Sequence, residues 1–324
     1  MHIERACGPR SRVARSWSRA AYALVVASMV IGLTACAGGQ RASAPAAVPA
    51  PPQGVEVARI DYPVPAGKAD PTQNWMDLYL PTHRPGRLPL VVLIHGGAWR
   101  NRISAASFAV FAATVADRGV AVLNVEYRRV GSGGGWSTTF SDVAAAINDI
   151  PAVANRYPVI DAQRSVVVGH SAGAQLAVWS ATRDHRTADA IGVPVRYRPA
   201  LAFSISGPLD MRRAAALGDR NVVQVLGGSP GQVPRRYAAV DPFQNLDPQV
   251  PVIAVIGSRD TTVPAILTQD YVAADNAAGG HARLMVFAGQ THSSIVSPTS
   301  TTFPRLVDEI VKAVRGLRGH NADQ

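Results

Sequence analysis

Ser171 sits in Gly169-His170-Ser171-Ala172-Gly173, directly after the apolar run Val166-Val167-Val168 and ahead of a helical pattern. A serine hydroxyl is a weak nucleophile until a neighbouring base takes its proton, and G-x-S-x-G between a strand and a helix presents such a hydroxyl to a carbonyl carbon. The glycines make the turn tight. A side chain at Gly169 or Gly173 would collide with neighbouring backbone, while strain at Ser171 pushes the hydroxyl out at the carboxyl end of the strand. The five-residue pattern alone is common; its strand-turn-helix setting makes it informative.

A serine that attacks a carbonyl needs a base, an acid to orient the base and donors for the developing oxyanion. The chain has eight histidines: His2, His83, His95, His170, His185, His281, His292 and His320. His292, in AGQTHSS, follows the last predicted strand, where a loop at the carboxyl edge of a sheet can return an imidazole to the serine. His281 precedes that strand, and His95 and His170 lie inside glycine motifs, where packing or orienting roles are expected. Asp260, in GSRD after Val252 to Ile256, is the acid in the order serine, acid, histidine. Asp241 and Asp247 precede the strand and Asp270 falls inside the next helix, which suits solvated or capping carboxylates. Asp142 is expected to open or cap the helix after Trp136. His95-Gly96-Gly97-Ala98-Trp99 leaves the strand LVVLI at the end where doubly wound sheets place their sites. The backbone N–H groups of Gly96 and Gly97, with that of Ala172, are the expected oxyanion donors. Trp99, Trp136 and Phe140 are candidates to line a substrate pocket, and GSGGG at 131–135 is expected to form a mobile loop at its entrance.

These positions need a frame that brings strand ends together. Short β-branched runs alternate with helical patterns, the signature of a mostly parallel sheet covered on both faces. Strands are expected at Leu90 to Ile94, Val120 to Asn124, Ser165 to Val168, Ala200 to Ser204, Val252 to Ile256 and Leu284 to Phe287. Val57 to Tyr62 and Trp75 to Tyr79 are expected as antiparallel edge strands. Helices are expected at Ser104 to Asp117, Phe140 to Tyr157, Ala172 to Thr182, Pro264 to Ala278 and Phe303 to Arg315. The stretch from Pro208 to Val250 holds neither period for long and is assigned to a small cap or irregular excursion over the site.

The HGGAW turn, EYRR at 126 to 129, GHSAGAQLA, GSRDTTVP and GQTHSS resemble α/β-hydrolase esterases of the hormone-sensitive-lipase and kynurenine-formamidase-like branch, over roughly Trp75 to Leu317. The resemblance implies the α/β-hydrolase fold, the triad Ser171, Asp260 and His292, an oxyanion hole at Gly96, Gly97 and Ala172, and two-step acyl transfer with no cofactor. The turn reads HGGA where lipase-like members commonly carry a third glycine, and the HGGxW form is nearer the formamidase and acyl-esterase members. An amide hydrolase such as a formamidase, and a surface lipoprotein that keeps the fold for binding alone, are the alternatives.

Bulk properties agree with one catalytic domain, expected over 55–317. With 47% hydrophobic and 17% charged residues in 324, the chain can bury one large core. Of the formal charge of +10, five arginines between Arg5 and Arg19 set against Glu4 supply +4, leaving +6. The remaining arginines are scattered without interleaved aromatics, so nucleic acid is not an expected partner. The chain has no HExxH and no paired cysteines, which disfavours a metal site. Residues 1–35 read as an export signal: a basic stretch, then an apolar run from Ala20 to Ala35 that falls short of the roughly 20 residues a spanning helix needs. LTAC at 33 to 36 resembles a bacterial lipoprotein signal, in which Cys36 becomes a lipidated first residue; cleavage after Ala35-Cys36-Ala37 as an ordinary export site is the alternative. Residues 36–54 are expected to form a Pro/Ala-rich tether reaching roughly 50 Å, and 318–324 a frayed tail. The expected address is the outer face of a membrane, with small-molecule or lipid-derived esters as substrates.

Overall fold

The computed structural model describes residues 54–64, 69–83 and 86–318. The expectations for the export signal, Cys36, the tether up to residue 53 and all but the first residue of the tail lie outside the described residues.

Eight strands form one sheet in the order β1-β2-β4-β3-β5-β6-β7-β8: β1 Val55–Asp61, β2 Trp75–Pro81, β3 Leu88–Ile94, β4 Ala121–Val125, β5 Ile160–His170, β6 Leu201–Ile205, β7 Val252–Gly257 and β8 Arg283–Phe287. β2 pairs antiparallel with β1 and β4, and all other pairings are parallel. β3 shows why the apolar runs are continuous: all seven of its residues are buried. Leu90, Val92 and Ile94 face one core layer, and Val91 and Leu93 the other. Period-2 side chains serve both faces, so no polar alternation survives.

Helices cover both faces. α1 (Ala109–Asp117) and α10 (Phe303–Arg315) contribute to the layer containing Val91 and Leu93. In α10, Leu306, Val307, Ile310, Val311 and Val314 are buried at spacings of three and four, one stripe of a 3.6-residue period. α2 (Thr138–Asn148), α3 (Ile150–Arg156), α4 (Ala172–Thr182) and α9 (Ile266–Ala277) contribute to the opposite layer. Chain order reverses about β3, with β4 on one side and β5 on the other. Such a switch opens a crevice at the carboxyl ends of the strands, where ligands bind in doubly wound sheets.

The fold departs from expectation in four places. The helix expected from Phe140 to Tyr157 is two helices, because Pro151 lies in the first turn of α3 and has no N–H to continue the ladder from α2. The helix expected from Ser104 starts as a 3-10 turn over Ala105–Phe108. α5 (His185–Ile191) was not expected; Asp184 caps it by accepting from the Thr187 N–H, and Gly192 closes it in a left-handed conformation. The excursion from Pro208 to Val250 contains α6 (Met211–Ala216), α7 (Arg220–Leu226) and α8 (Pro234–Val240). Each has six or seven residues, less than two turns, too few to display a period.

Candidate active site

Ser171 is the last residue before α4 and has φ 55° and ψ −124°. A non-glycine residue there costs roughly 1–3 kcal/mol and persists only where its surroundings over-determine it. Those surroundings are close-packed backbone. A Cβ on Gly169 would lie 2.0 Å from the Gly173 carbonyl oxygen, and one on Gly173 2.1 Å from the Ile94 carbonyl oxygen. Both contacts are far inside van der Waals range, so only glycine fits. The Ser171 N–H also donates to the Ile205 carbonyl at 2.9 Å, tying the turn to β6.

Ser171 Oγ lies 2.8 Å from His292 Nε2, and His292 Nδ1 lies 2.8 Å from Asp260 Oδ2. The hydroxyl donates to Nε2 and the Nδ1–H donates to the carboxylate. Asp260 and His292 follow β7 and β8, and their loops are clasped together: Arg259 N–H donates to the Gln290 carbonyl at 2.9 Å, and a Cβ on Gly257 would lie 2.3 Å from that oxygen. Burial opposes ionisation of Asp260. Hydrogen bonds from His292 and from the backbone N–H groups of Val263 and Thr262 overcome it and hold the carboxyl down at about 2.

His170, the variable residue beside the serine, has an orienting contact. Its Nε2–H donates to the main-chain carbonyl of His292 at 2.8 Å, so the strand that leads to Ser171 holds the His292 loop directly. Its burial, and then the nearness of His292, push the His170 imidazole down to about 3. His95 is fully buried. Its Nδ1 faces the Gly96 carbonyl at 2.7 Å and its Nε2 faces Glu126 Oε1 at 3.1 Å.

Glu126 and its neighbours brace the start of the HGGAW turn and the segment that follows it. Glu126 also accepts from the N–H groups of Ala105 and Tyr127, each at 2.9 Å, and pairs with Arg129. The Tyr127 hydroxyl donates to the His95 carbonyl at 2.9 Å while its ring stacks on His95 at 4.5 Å. Arg129 also donates to the Ile103 carbonyl. These bracing roles were not read from the sequence, although EYRR stood out as a motif. Trp99 is held from the other side by Gln175 of α4, whose Oε1 accepts from the indole N–H at 3.2 Å.

In front of Ser171 lies a cavity of about 490 Å³ whose wall includes Ala98, Trp99, Ala172, Pro208, Leu217 and Leu267. Ala172 and Trp99 are both on this wall. Gly96 and Gly97 are not on this wall; Ala98, with φ 55°, carries the turn past Ser171. Among the described residues, the N–H groups of Gly96, Gly97, Ala98 and Ala172 have no protein acceptor. The excursion does reach the site, since α6, α7 and their connection form one wall.

Several other expectations are corrected. Trp136 does not line this cavity; it packs on Phe140 at 5.8 Å and lies under Arg236. Phe140 is fully buried between Trp136 and Trp179. The GSGGG segment is stitched in place: Ser132 and Gly134 N–H donate to the Arg129 carbonyl, and Asn101 donates to the Gly131 carbonyl. Gly134 belongs there because a Cβ would lie 2.3 Å from the Arg128 carbonyl oxygen. Asp142 neither opens nor caps α2. It is buried inside that helix and accepts from the Arg128 guanidinium and backbone N–H, a pair whose loss of one partner would cost roughly 3–5 kcal/mol. Of the rival carboxylates, Asp241 accepts from the Met211 and Phe243 N–H groups, Asp247 pairs with Arg198 and Asp270 pairs with Arg213. Among the described residues no group of three or more His, Cys, Asp or Glu side chains is placed to hold a metal ion.

The model of the BD-FAE family matches residues 76–274. An isoprenylcysteine α-carbonyl methylesterase of Arabidopsis thaliana is 27% identical over 263 residues, covering 76% of this chain and 60% of its own. The chain thus spans about three fifths of that relative's length. Among solved structures, esterase B from Lactobacillus rhamnosis with a bound inhibitor superposes with a TM-score of 0.68 at 18% identity, covering 82% of this chain and 88% of its own. A truncated carbohydrate esterase from gut microbiota gives 0.67 at 18% identity, covering 82% and 99%. At these identities the structures establish the shared fold: the α/β-hydrolase sheet with its flanking helices.

The environment of His170 generates a prediction independent of turnover. Because its folded value of about 3 lies below the roughly 6.5 of an unfolded histidine, the unfolded chain binds the proton first as pH falls. His170 therefore removes stability progressively from about pH 6.5 downward and is without this effect above it. NMR of histidine-labelled protein should show His170 as the neutral Nε2–H tautomer with no titration between about pH 8 and 5; a midpoint near 6.5 would contradict the assignment.

Proposed function

The chain belongs to the BD-FAE family, and from that membership and the geometry around Ser171 we propose that it is a carboxylic ester hydrolase working through a serine acyl-enzyme. The carrying observation is the pair of 2.8 Å contacts that link Ser171, His292 and Asp260 in one line. His292 Nε2 takes the hydroxyl proton as Ser171 Oγ attacks the carbonyl carbon. Asp260 holds the Nδ1–H and offsets the charge of the imidazolium that forms. The oxyanion faces the N–H of Ala172 and those of the glycine turn, where Gly96, Gly97 and Ala98 have free donors and Gly96 also sets the close approach to the elbow. The intermediate collapses as Nε2 returns the proton to the leaving alcohol. Water, deprotonated by the same nitrogen, then attacks the acyl carbon and releases the acid, restoring Ser171.

Each oxyanion donor is worth roughly 3 kcal/mol in the transition state, provided that it is already aimed and needs no reorganisation. The bracing of the turn by Glu126, Tyr127 and Arg129 supports that condition. The esterase names of the plant relative and of the structural neighbours favour esters over amides. Hydrolysis of a p-nitrophenyl ester series should accordingly be lost by about a thousandfold or more in Ser171→Ala, with the substrate's KM little changed. Comparable turnover by the two proteins would remove Ser171 as the nucleophile.

The sequence around Cys36 supports a second part of the proposal: export and lipid attachment, which would hold the enzyme at the outer face of a membrane beside lipid-derived or exogenous esters. Cys36→Ser should shift the protein from the membrane to the soluble envelope fraction and abolish acyl labelling. An unchanged distribution without label in the wild type would leave ordinary cleavage as the correct reading.

A further inference from the structure

The wall of the Ser171 cavity built by the excursion contains two charged residues, Asp219 and Arg220, and the rest of its lining is uncharged. The two charges are not equivalent. Asp219 Oδ1 accepts from the backbone N–H groups of Asn221 and Val222 and from Asn221 Nδ2, so this carboxylate is engaged in capping α7. Arg220 is exposed, and among the described residues its guanidinium has neither an ion-pair nor a hydrogen-bond partner. Of the other arginines of the excursion, Arg213 pairs with Asp270 and Arg236 donates to the Leu226 carbonyl, while Arg212 and Arg235, also exposed, are not on this wall.

The backbone that carries Arg220 is fixed. It opens α7, whose Val222, Val225 and Leu226 are fully buried in the core. A long cation thus springs from a fixed backbone position on the wall of a cavity whose lining also includes the buried side chains of Trp99, Val263 and Leu267. At an exposed rim the attraction to an opposite charge is screened by solvent, so it orients an anionic group modestly and weakens with salt. A guanidinium also offers a planar fork of donors that matches a carboxylate. Leaving such a donor set without a protein acceptor carries little cost at a wet rim, and makes it available to a ligand.

We propose that Arg220 is a specificity-determining residue that selects esters bearing a carboxylate remote from the scissile bond, such as half esters of dicarboxylic acids. The proposal rests on Ser171 being the reacting group in the same cavity. The test compares kcat/KM of the full chain on p-nitrophenyl half esters of succinate, glutarate and adipate with neutral acyl esters of matched length. Esters ending in a quaternary ammonium serve as the opposite-charge control. The best half ester should be preferred over its neutral counterpart by about tenfold, mainly through KM, and the preference should shrink as salt is raised. Arg220→Gln should lower kcat/KM at least about fivefold more for the half ester than for the neutral ester, Arg220→Lys should retain part of the preference, and Arg220→Glu should transfer it to the cationic ester. Equal losses on both esters in Arg220→Gln, or a wild-type preference for the cationic ester, would overturn the proposal. Binding of the best half ester to Ser171→Ala, with and without Arg220→Gln, reads the subsite without turnover. Equal affinities there would also overturn it, whereas failure of the serine reading would show as undiminished hydrolysis by Ser171→Ala.

Discussion

The close approach of β5 to β3 at their carboxyl ends is the constraint on which the site depends. Gly173 packs its Cα against the Ile94 and His95 carbonyls, and Gly169 packs against Gly173 itself. Moving the strands apart by the width of one methyl group would relax Ser171 from its left-handed conformation and swing its hydroxyl away from His292. The same approach puts Ala172 and Ala98 on the wall of one cavity, so Ser171 and the turn that faces it are positioned by one packing event. Strain at Ser171, of order 1–3 kcal/mol, is offset by core burial on both faces of these central strands.

Around that contact the chain builds rigid supports instead of leaving loops to find their places. On one side Glu126, Tyr127 and Arg129 fix His95, its carbonyl and the start of the following turn. On the other, His170 reaches across to the backbone of His292 while Gln290 locks the Asp260 and His292 loops together. A neutral His170 suits this position. A second positive charge 4.7 Å from the His292 ring would oppose the imidazolium that the proposed reaction requires. The excursion supplies one wall: its helices are short, α6 and α7 are capped by Asp210 and Asp219, and all three are anchored by buried side chains.

Much of this was legible in the sequence because the residues concerned lie next to long-period signals. Strands buried on both faces appear as unbroken apolar runs, and the residues immediately after β3, β5, β7 and β8 were thereby assigned to one edge of the sheet. Ser171, Asp260 and His292 meet there. What escaped depended on particular side-chain and backbone contacts that no periodicity records. Trp136 looked like a pocket residue by type, yet Phe140 and Arg236 draw it into a different environment. A glycine-rich run suggested mobility, but its glycines permit close backbone packing against Arg128. Asp142 resembled a helix opener until its partner, fourteen residues earlier, was known. Ala98 gave no signal because its part lies in a backbone conformation, and Arg220 gave none because the short helices of the excursion carry no readable period.

The central claim, that Ser171 is the group activated by His292 and Asp260, is tested most directly by covalent capture. The full chain is incubated with a p-nitrophenyl alkylphosphonate, which mimics the tetrahedral intermediate, and the product is analysed by intact mass and peptide mapping. The account predicts one adduct per chain, on Ser171, forming at least a hundredfold more slowly in His292→Ala. A stable adduct on another residue, or capture of Ser171 at an undiminished rate in His292→Ala, would contradict it.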